Sequence, residues 1–353
     1  MHRKTFRRGF QGDFDFEQFN LGCIEQRPQQ GELVAAIDAS YIDKSGKKTE
    51  GLGYFYSGCA KKAKKGLEVS EIALIDRDNK QAYGLSSQQT IDVEGKSRVD
   101  SYAEHITSCA PKLPSEVRYL LADGYYAKRT ILDSLDELDK PLYLVSRLRC
   151  DANLDYLYEG AYAGMGAPQQ YDGKVYFNDL SRFDYHGEIE DKIHVYTKIL
   201  RHKHFKRLIR VVVLLNMTKP NKPTYIVLFS TDLNLCAFDI IKLYQLRFQL
   251  EFLFRDAKQF TGLTHCQARN SKALTFHWNL SFAAVNLAKL DLLQQHHQSQ
   301  AHTSFVFSLA AYTQRFFSRT LLKRLLSNLD LDLSSNKVTQ AFNKTLAFGF
   351  RKL

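Results

Sequence analysis

Apolar residues along the chain change their spacing several times, and each change delimits an element. Residues 32–40 form a short apolar run broken near its end by Asp38, the pattern of a strand buried on both faces. Residues 51–56 and 67–76 read as the next two strands, with a loop over 60–66 that carries Lys61, Lys62, Lys64 and Lys65. This predicts an antiparallel three-strand meander with Asp38 on its first strand. Residues 86–95 are polar, and 97–109 read as a helix stopped by Pro111. Residues 117–124 are again strand-like and end on Asp123-Gly124, followed by a helix over 127–138 and a strand over 141–147. Strand, helix and strand in that order predict a right-handed parallel crossover attached to the meander.

The rhythm breaks over 150–235. A Gly/Tyr-rich loop at 160–173 precedes β-rich runs at 175–177, 193–200, 208–215 and 225–230, the pattern of a strand-rich insertion. From Cys236 to about Phe260 the spacing turns helical with no Gly or Pro, residues 271–295 read as a second long helix, and shorter helices fill the remainder. The first 32 residues lack clear periodicity; His2-Arg3-Lys4 and Arg7-Arg8 make them a basic arm. The resulting division is 1–32, 33–149, 150–235, 236–295 and 296–353.

Composition narrows the class. The chain is 44% hydrophobic and 25% charged, with apolar stretches too short to span a bilayer and no apolar run after the basic start, so a cytoplasmic, non-membrane protein is expected. A net charge of +11 favours a polyanionic partner. The six cysteines are scattered without zinc-ligand spacing, which argues against a zinc ribbon and against a disulfide framework.

An Asp near the end of an apolar strand has to be solvated, hydrogen-bonded or bound to a cation. Asp38 and Asp123 each also read as turn-forming residues, but both terminate strands of one sheet and so can meet at a common edge. The third element is Tyr244-(2)-Arg247-(3)-Glu251-(6)-Lys258. On a helix these positions fall within about 60° of one another, forming one polar stripe. Arg247 and Glu251, four apart, also fit an ordinary surface ion pair; Phe248, Leu250, Phe252, Leu253 and Phe254 beside them indicate a packed helix whose stripe faces a cleft.

These three segments resemble the bacterial DDE transposases of the IS-four-like insertion sequences. Asp38-Ala39-Ser40 and Asp123-Gly124-Tyr125-Tyr126 match the family's two Asp segments, and the Tyr-Arg-Glu-Lys helix matches at all four positions. The resemblance, over roughly 33–295, implies an α/β fold: a ribonuclease H-like mixed sheet flanked by helices, with a β-rich insertion before the Glu-bearing helix and a helical C-terminal region. It implies that Asp38, Asp123 and Glu251 hold two Mg²⁺ ions, Mn²⁺ substituting, with Asp38 bridging both. It further implies metal-dependent cleavage and transfer of double-stranded DNA through a hairpin, with transposon ends and target as substrates, a homodimer on the DNA, and association with the bacterial nucleoid. Tyr244, Arg247 and Lys258 then contact terminal phosphates.

Further DNA contacts are expected from the lysines of the 60–66 loop and from Arg201 to Arg207, either of which also fits a solvated turn. His202 and His204 are expected to face solvent, and Trp278 to pack in a core. Family members carry a helical DNA-binding domain ahead of the first Asp, whereas 37 residues precede Asp38. The expectation is therefore a truncated copy, or recognition of ends by other segments. A ribonuclease H-fold nuclease without joining activity and a non-catalytic DNA-binding remnant stand as alternatives.

Overall fold

The computed structural model describes residues 9–10, 12–28, 31–162, 164, 166–190, 192–219, 223–298, 307–332 and 334–348; most of the basic arm, with His2-Arg3-Lys4 and Arg7-Arg8, lies outside them. Its centre is one mixed sheet of twelve strands.

A helix that the sequence pattern did not announce, α1 (Phe16–Glu25), precedes the sheet; Asp15 caps it by accepting from the Gln18 N–H at 2.9 Å. Strand β1 (Leu33–Asp43) pairs antiparallel with β3 (Lys62–Asp76), and β3 with β4 (Gln81–Gln89). β2 (Gly53–Ser57) is a short ribbon on the first residues of β3. Two expectations change here. The lysine-bearing loop is mostly strand: Lys62, Lys64 and Lys65 lie in β3, and only Lys61 sits in the turn, at φ 50°. A strand tolerates such charges where its side chains reach water.

The third strand of the meander is β4, although it is polar and carries Gly84. Its burial has a tertiary cause. Asn279 and Asn286 project their amides onto β4, bonding both N–H and C=O of Ser87 (2.9 and 2.9 Å) and of Gly84 (2.9 and 2.7 Å). Backbone groups that periodicity cannot pair are thereby satisfied.

Next come α2 (Arg98–Cys109), started by a Ser97/Asp100 capping box, then β5 (Tyr119–Leu121), α3 (Arg129–Asp136) and β6 (Tyr143–Leu148). β5 pairs parallel with both β1 and β6, as the crossover pattern requires. Segment 150–235 continues the same sheet. β7 (Leu154–Leu157), β8 (Tyr171–Lys174), β9 (Asp184–Ile189), β10 (Ile193–His202), β11 (Arg207–Asn216) and β12 (Thr224–Ser230) extend it, β12 closing antiparallel onto β6. The strand order is β2-β3-β1-β5-β6-β12-β11-β10-β7-β8, with β4 on β3 and β9 on β10. Residues 175–177 are not strand; Val175 and Phe177 are buried as loop residues.

The expected helix over 236–260 is two, α4 (Ala237–Leu246) and α5 (Phe248–Phe260), parted at Arg247 by tight i→i+3 bonds, Arg247 N–H to Tyr244 O (3.2 Å) and Leu250 N–H to Arg247 O (3.0 Å). The long α6 (Ser271–Gln298) follows, then α7 (Leu309–Asn328) and α8 (Asn336–Phe348). Alternation along β1 sends Leu33, Ala35 and Ile37 into one core with α2 and α3, and Val34 and Ala36 into a second core with α4, α5 and α6, where Trp278 is fully buried. The sheet around β1 is thus covered on both faces.

Candidate active site

Strand register determines where the two aspartates meet. The last paired positions of β1 and β5 are Ala35↔Leu120 and Ala36↔Leu121. Asp38 and Asp123 each follow two residues beyond the last of these pairs, near enough for the Asp123 charge to act on the Asp38 carboxyl. By alternation both belong to the face of Ala36 and Leu121, onto which α5 packs through Leu250, Leu253 and Phe254. Gly124 allows the turn after Asp123, since a Cβ there would lie 3.0 Å from the Arg147 carbonyl. Ser146 Oγ donates to the Asp123 carbonyl at 2.8 Å, and the Asp123 carboxylate accepts from the Tyr125 N–H at 2.8 Å.

Asp38 is poorly compensated. Its side chain is 22% exposed, one oxygen accepts from the Ala39 N–H at 2.8 Å, and the other meets Arg247 Nη1 at 3.4 Å. Burial, with the Asp123 charge second, raises its carboxyl to about 7; the Ala39 N–H and Arg247 oppose that shift and Glu251 adds to it. Glu251, on the first turn of α5, is turned to Arg247, whose Nη2 donates to Oε1 at 2.6 Å. Burial works against the Arg247 charge, but Asp38, Tyr244 and Glu251 outweigh it, so its guanidinium stays charged.

The three carboxylates expected to act together are not gathered into one group. Asp38 and Asp123 come together, while Glu251 leans on Arg247. Among the described residues no group of three or more His, Cys, Asp and Glu side chains stands ready to hold a metal ion. Like charges without a cation repel, and Arg247 supplies the nearest relief. The carboxylate oxygens of Asp38 and Asp123 are donors of the kind a hard divalent ion takes, and Tyr126 Oη, which feels the Asp38 charge, is buried without a hydrogen-bond partner; Arg247 Nε, also unpartnered, is an N–H donor and suits an anion instead. Burial raises the Tyr126 phenol, and the nearby Asp38 charge raises it further.

The remaining stripe residues stay within electrostatic reach of the aspartates despite the break at Arg247, Tyr244 of Asp123 and Lys258 of Asp38. Lys258 Nζ donates to Ser40 Oγ at 2.7 Å and to the Tyr41 carbonyl at 3.1 Å, and burial lowers its basicity. Burial raises the Tyr244 phenol, Arg247 and Arg147 pull it down, and Asp123 pushes it up, so all four groups are close. Arg147, exposed near the end of β6, was missed by sequence reasoning; its only signal was its place at the end of a strand parallel to the Asp123 strand.

The other basic groups fare differently. Lys64 lies 5.6 Å from the Tyr41 ring centroid and 3.8 Å from Asp43, both at the far end of the Asp38 strand. Most of the 201–207 cluster is engaged internally. Arg207 bridges Asp133 and Asp136, Lys203 pairs with Asp155 at 3.0 Å, and Arg201 covers Tyr171. His202 does not face solvent: it is buried, stacked on Phe205 at 3.5 Å, and burial lowers its pKa to about 4.

The sequence pattern of the transposase DDE domain family matches residues 31–287. The chain belongs to that family. Seven chains of solved structures also match. One is a piggyBac transposase synaptic complex with hairpin DNA, at 11% identity and a TM-score of 0.45; the match covers 98% of this chain and 63% of that one. No curated protein matches the chain. No helix among the described residues is long and apolar enough to cross a membrane.

Proposed function

We propose that the chain is the catalytic core of a transposase of the IS-four-like type, cutting and joining double-stranded DNA with divalent metal ions, Mg²⁺ or Mn²⁺. The observation that carries this reading is the chain of contacts from Asp38 through Arg247 to Glu251, with Asp123, two residues beyond the parallel β1–β5 pairing, close enough to raise the Asp38 carboxyl. The meander followed by parallel β5 and β6 supports a ribonuclease H-like core, interrupted by the strand-rich segment 150–235 before the Glu-bearing helix.

Asp38, Asp123 and Glu251 would hold the ions. When bound, they would activate the attacking oxygen and neutralise the leaving one. The chain's own groups do the rest. Arg247 presents a planar fork to phosphate oxygens once Glu251 turns from it, and Arg147 adds a charge within reach of Tyr244. Lys258, anchored on Ser40 and Tyr41, sets a compact charge beside the Asp38 strand. Tyr244 offers a ring and a phenol to an unpaired strand end.

The test is incubation with Mg²⁺ or Mn²⁺ and a duplex bearing the element's own ends, scoring nicks, hairpins and joined products. Wild type should give all three, and Asp38→Asn, Asp123→Asn and Glu251→Gln none. Nicking that survives Glu251→Gln would sink the site assignment, whereas hydrolysis without joining would favour a nuclease. Sedimentation of the DNA complex tests the expected homodimer.

A further inference from the structure

Beyond Asp38, β1 runs on to Asp43 and enters a loop rich in lysine. That loop and the segment after α5 enclose a cavity of about 340 Å³. Lys44, Lys47 and Lys48 line one wall and Arg269 the other, joined by the hydroxyls of Ser45 and Thr264. The two walls are tied together: Lys44 Nζ donates to the Cys266 carbonyl at 2.5 Å, and the Glu50 N–H donates to the Arg269 carbonyl at 2.8 Å. Gly46, at φ +98° with open space around its Cα, makes the turn that presents Lys47 and Lys48.

The charge balance is one-sided. Asp43 is the one carboxylate lining the cavity, and it is engaged by the Tyr41 hydroxyl at 3.0 Å and by Lys64 at 3.8 Å. Among the described residues none of Lys44, Lys47, Lys48 and Arg269 takes part in an ion pair, although elsewhere in the molecule Arg77, Arg98, Arg182 and Arg207 do. Four cations kept together without acidic partners, with hydroxyl donors between them, suit a polyanion carrying several oxygens per charge. Six residue steps of extended chain lead from Asp38 to Lys44, a reach of about 20 Å. Along a duplex with about 3.4 Å between successive phosphates of one strand, that reach corresponds to about 6 base pairs.

We propose that this pocket binds backbone phosphates of duplex DNA about 6 base pairs from the bond cut at Asp38. The inference rests on the transposase reading and extends it with a site outside the Asp-Asp-Glu cleft. It makes the pocket a phosphate clamp that sets the position of the duplex and carries no base readout.

The experiment uses the full chain with Lys47→Ala/Lys48→Ala, both exposed side chains, and follows duplex binding by fluorescence anisotropy across a salt series. Affinity should fall by at least about tenfold, and the slope of log K against log salt should shrink by about 2. Nicking at subsaturating DNA should fall in step with affinity, and Lys47→Arg/Lys48→Arg should restore both. A methylphosphonate about 6 base pairs from the cut should weaken wild type but not the double alanine variant. Wild-type affinity and slope in the alanine pair, or equal methylphosphonate losses in both proteins, would overturn the pocket while leaving the transposase reading intact. A wild-type protein that neither binds nor cuts duplex DNA would overturn both.

Discussion

Two aspartates on the β1–β3 ribbon show what a buried carboxylate looks like when the fold supplies its partners and when it does not. Asp76, paired with Leu33 in the ladder, is fully buried and fully served: Arg27 at 2.6 Å, the N–H groups of Asp78 and Asn79 at 3.0 Å each, and the Asn79 amide at 3.1 Å. Asp38, five residues along β1 from Leu33, has one N–H, a long contact to Arg247, and two other carboxylates for company. Both lie in apolar strands, so hydrophobicity does not separate them. What separates them is whether the chain itself supplies the compensating donors. Where it does not, the carboxylate is available to an outside cation.

The largest effect that would sharpen this contrast is catalytic. Asp38→Asn should abolish nicking and joining, whereas Asp76→Asn, if it folds, should retain both; a cleaving Asp38→Asn protein would end the contrast. Stability should reverse the order. Removing Asp76 leaves the buried Arg27 guanidinium unpaired, an expected loss of about 3–5 kcal/mol by denaturant unfolding. Metal-free Asp38→Asn should unfold no earlier than wild type, because it removes a repulsive charge.

Acid should expose a further weakness on the structural side. His105 is buried between Ser70 Oγ (2.9 Å) and Ser86 Oγ (3.2 Å), and burial lowers its pKa to about 3 from 6.5. The unfolded chain then binds the proton more readily, so stability falls as pH drops below about 6.5 and levels off only near 3. At about 1.4 kcal/mol per pH unit, the expected loss by about pH 4 is about 3 kcal/mol, read from denaturation midpoints, and His105→Gln should flatten that limb. The smallest effect is ligand-linked. Saturating Mg²⁺ or Mn²⁺, at about 100 times its Kd, should stabilise wild type and Asp76→Asn by about 2.7 kcal/mol and leave Asp38→Asn unmoved. An equal shift in all three would place the cation elsewhere.

Much of the site was legible because its signals are local. The apolar run ending in Asp38, the Asp123-Gly124 strand end, the parallel crossover and the spacing of Arg247, Glu251 and Lys258 all lie within single segments. The break at Arg247 was not legible, since no Gly or Pro marks it and the i→i+3 tightening leaves the side-chain spacing nearly helical. β4 escaped for another reason: its partners Asn279 and Asn286 stand far along the chain, separated from it by 192 and 202 positions, and its polar composition resembles a loop until they are in place. His202 was misjudged likewise, because Phe205 and the sheet beneath it are what bury the ring.

Segment by segment, then, the amino-acid order determined which residues carry charge at strand ends and on the α5 stripe, since backbone periodicity and side-chain type are properties of a few neighbours. Only the tertiary structure decided that Asp123 comes near Asp38, that Glu251 rests on Arg247, and that Lys44, Lys47, Lys48 and Arg269 share one cavity. Register, helix docking and electrostatic balance depend on contacts between distant parts of the chain, and no local pattern encodes them.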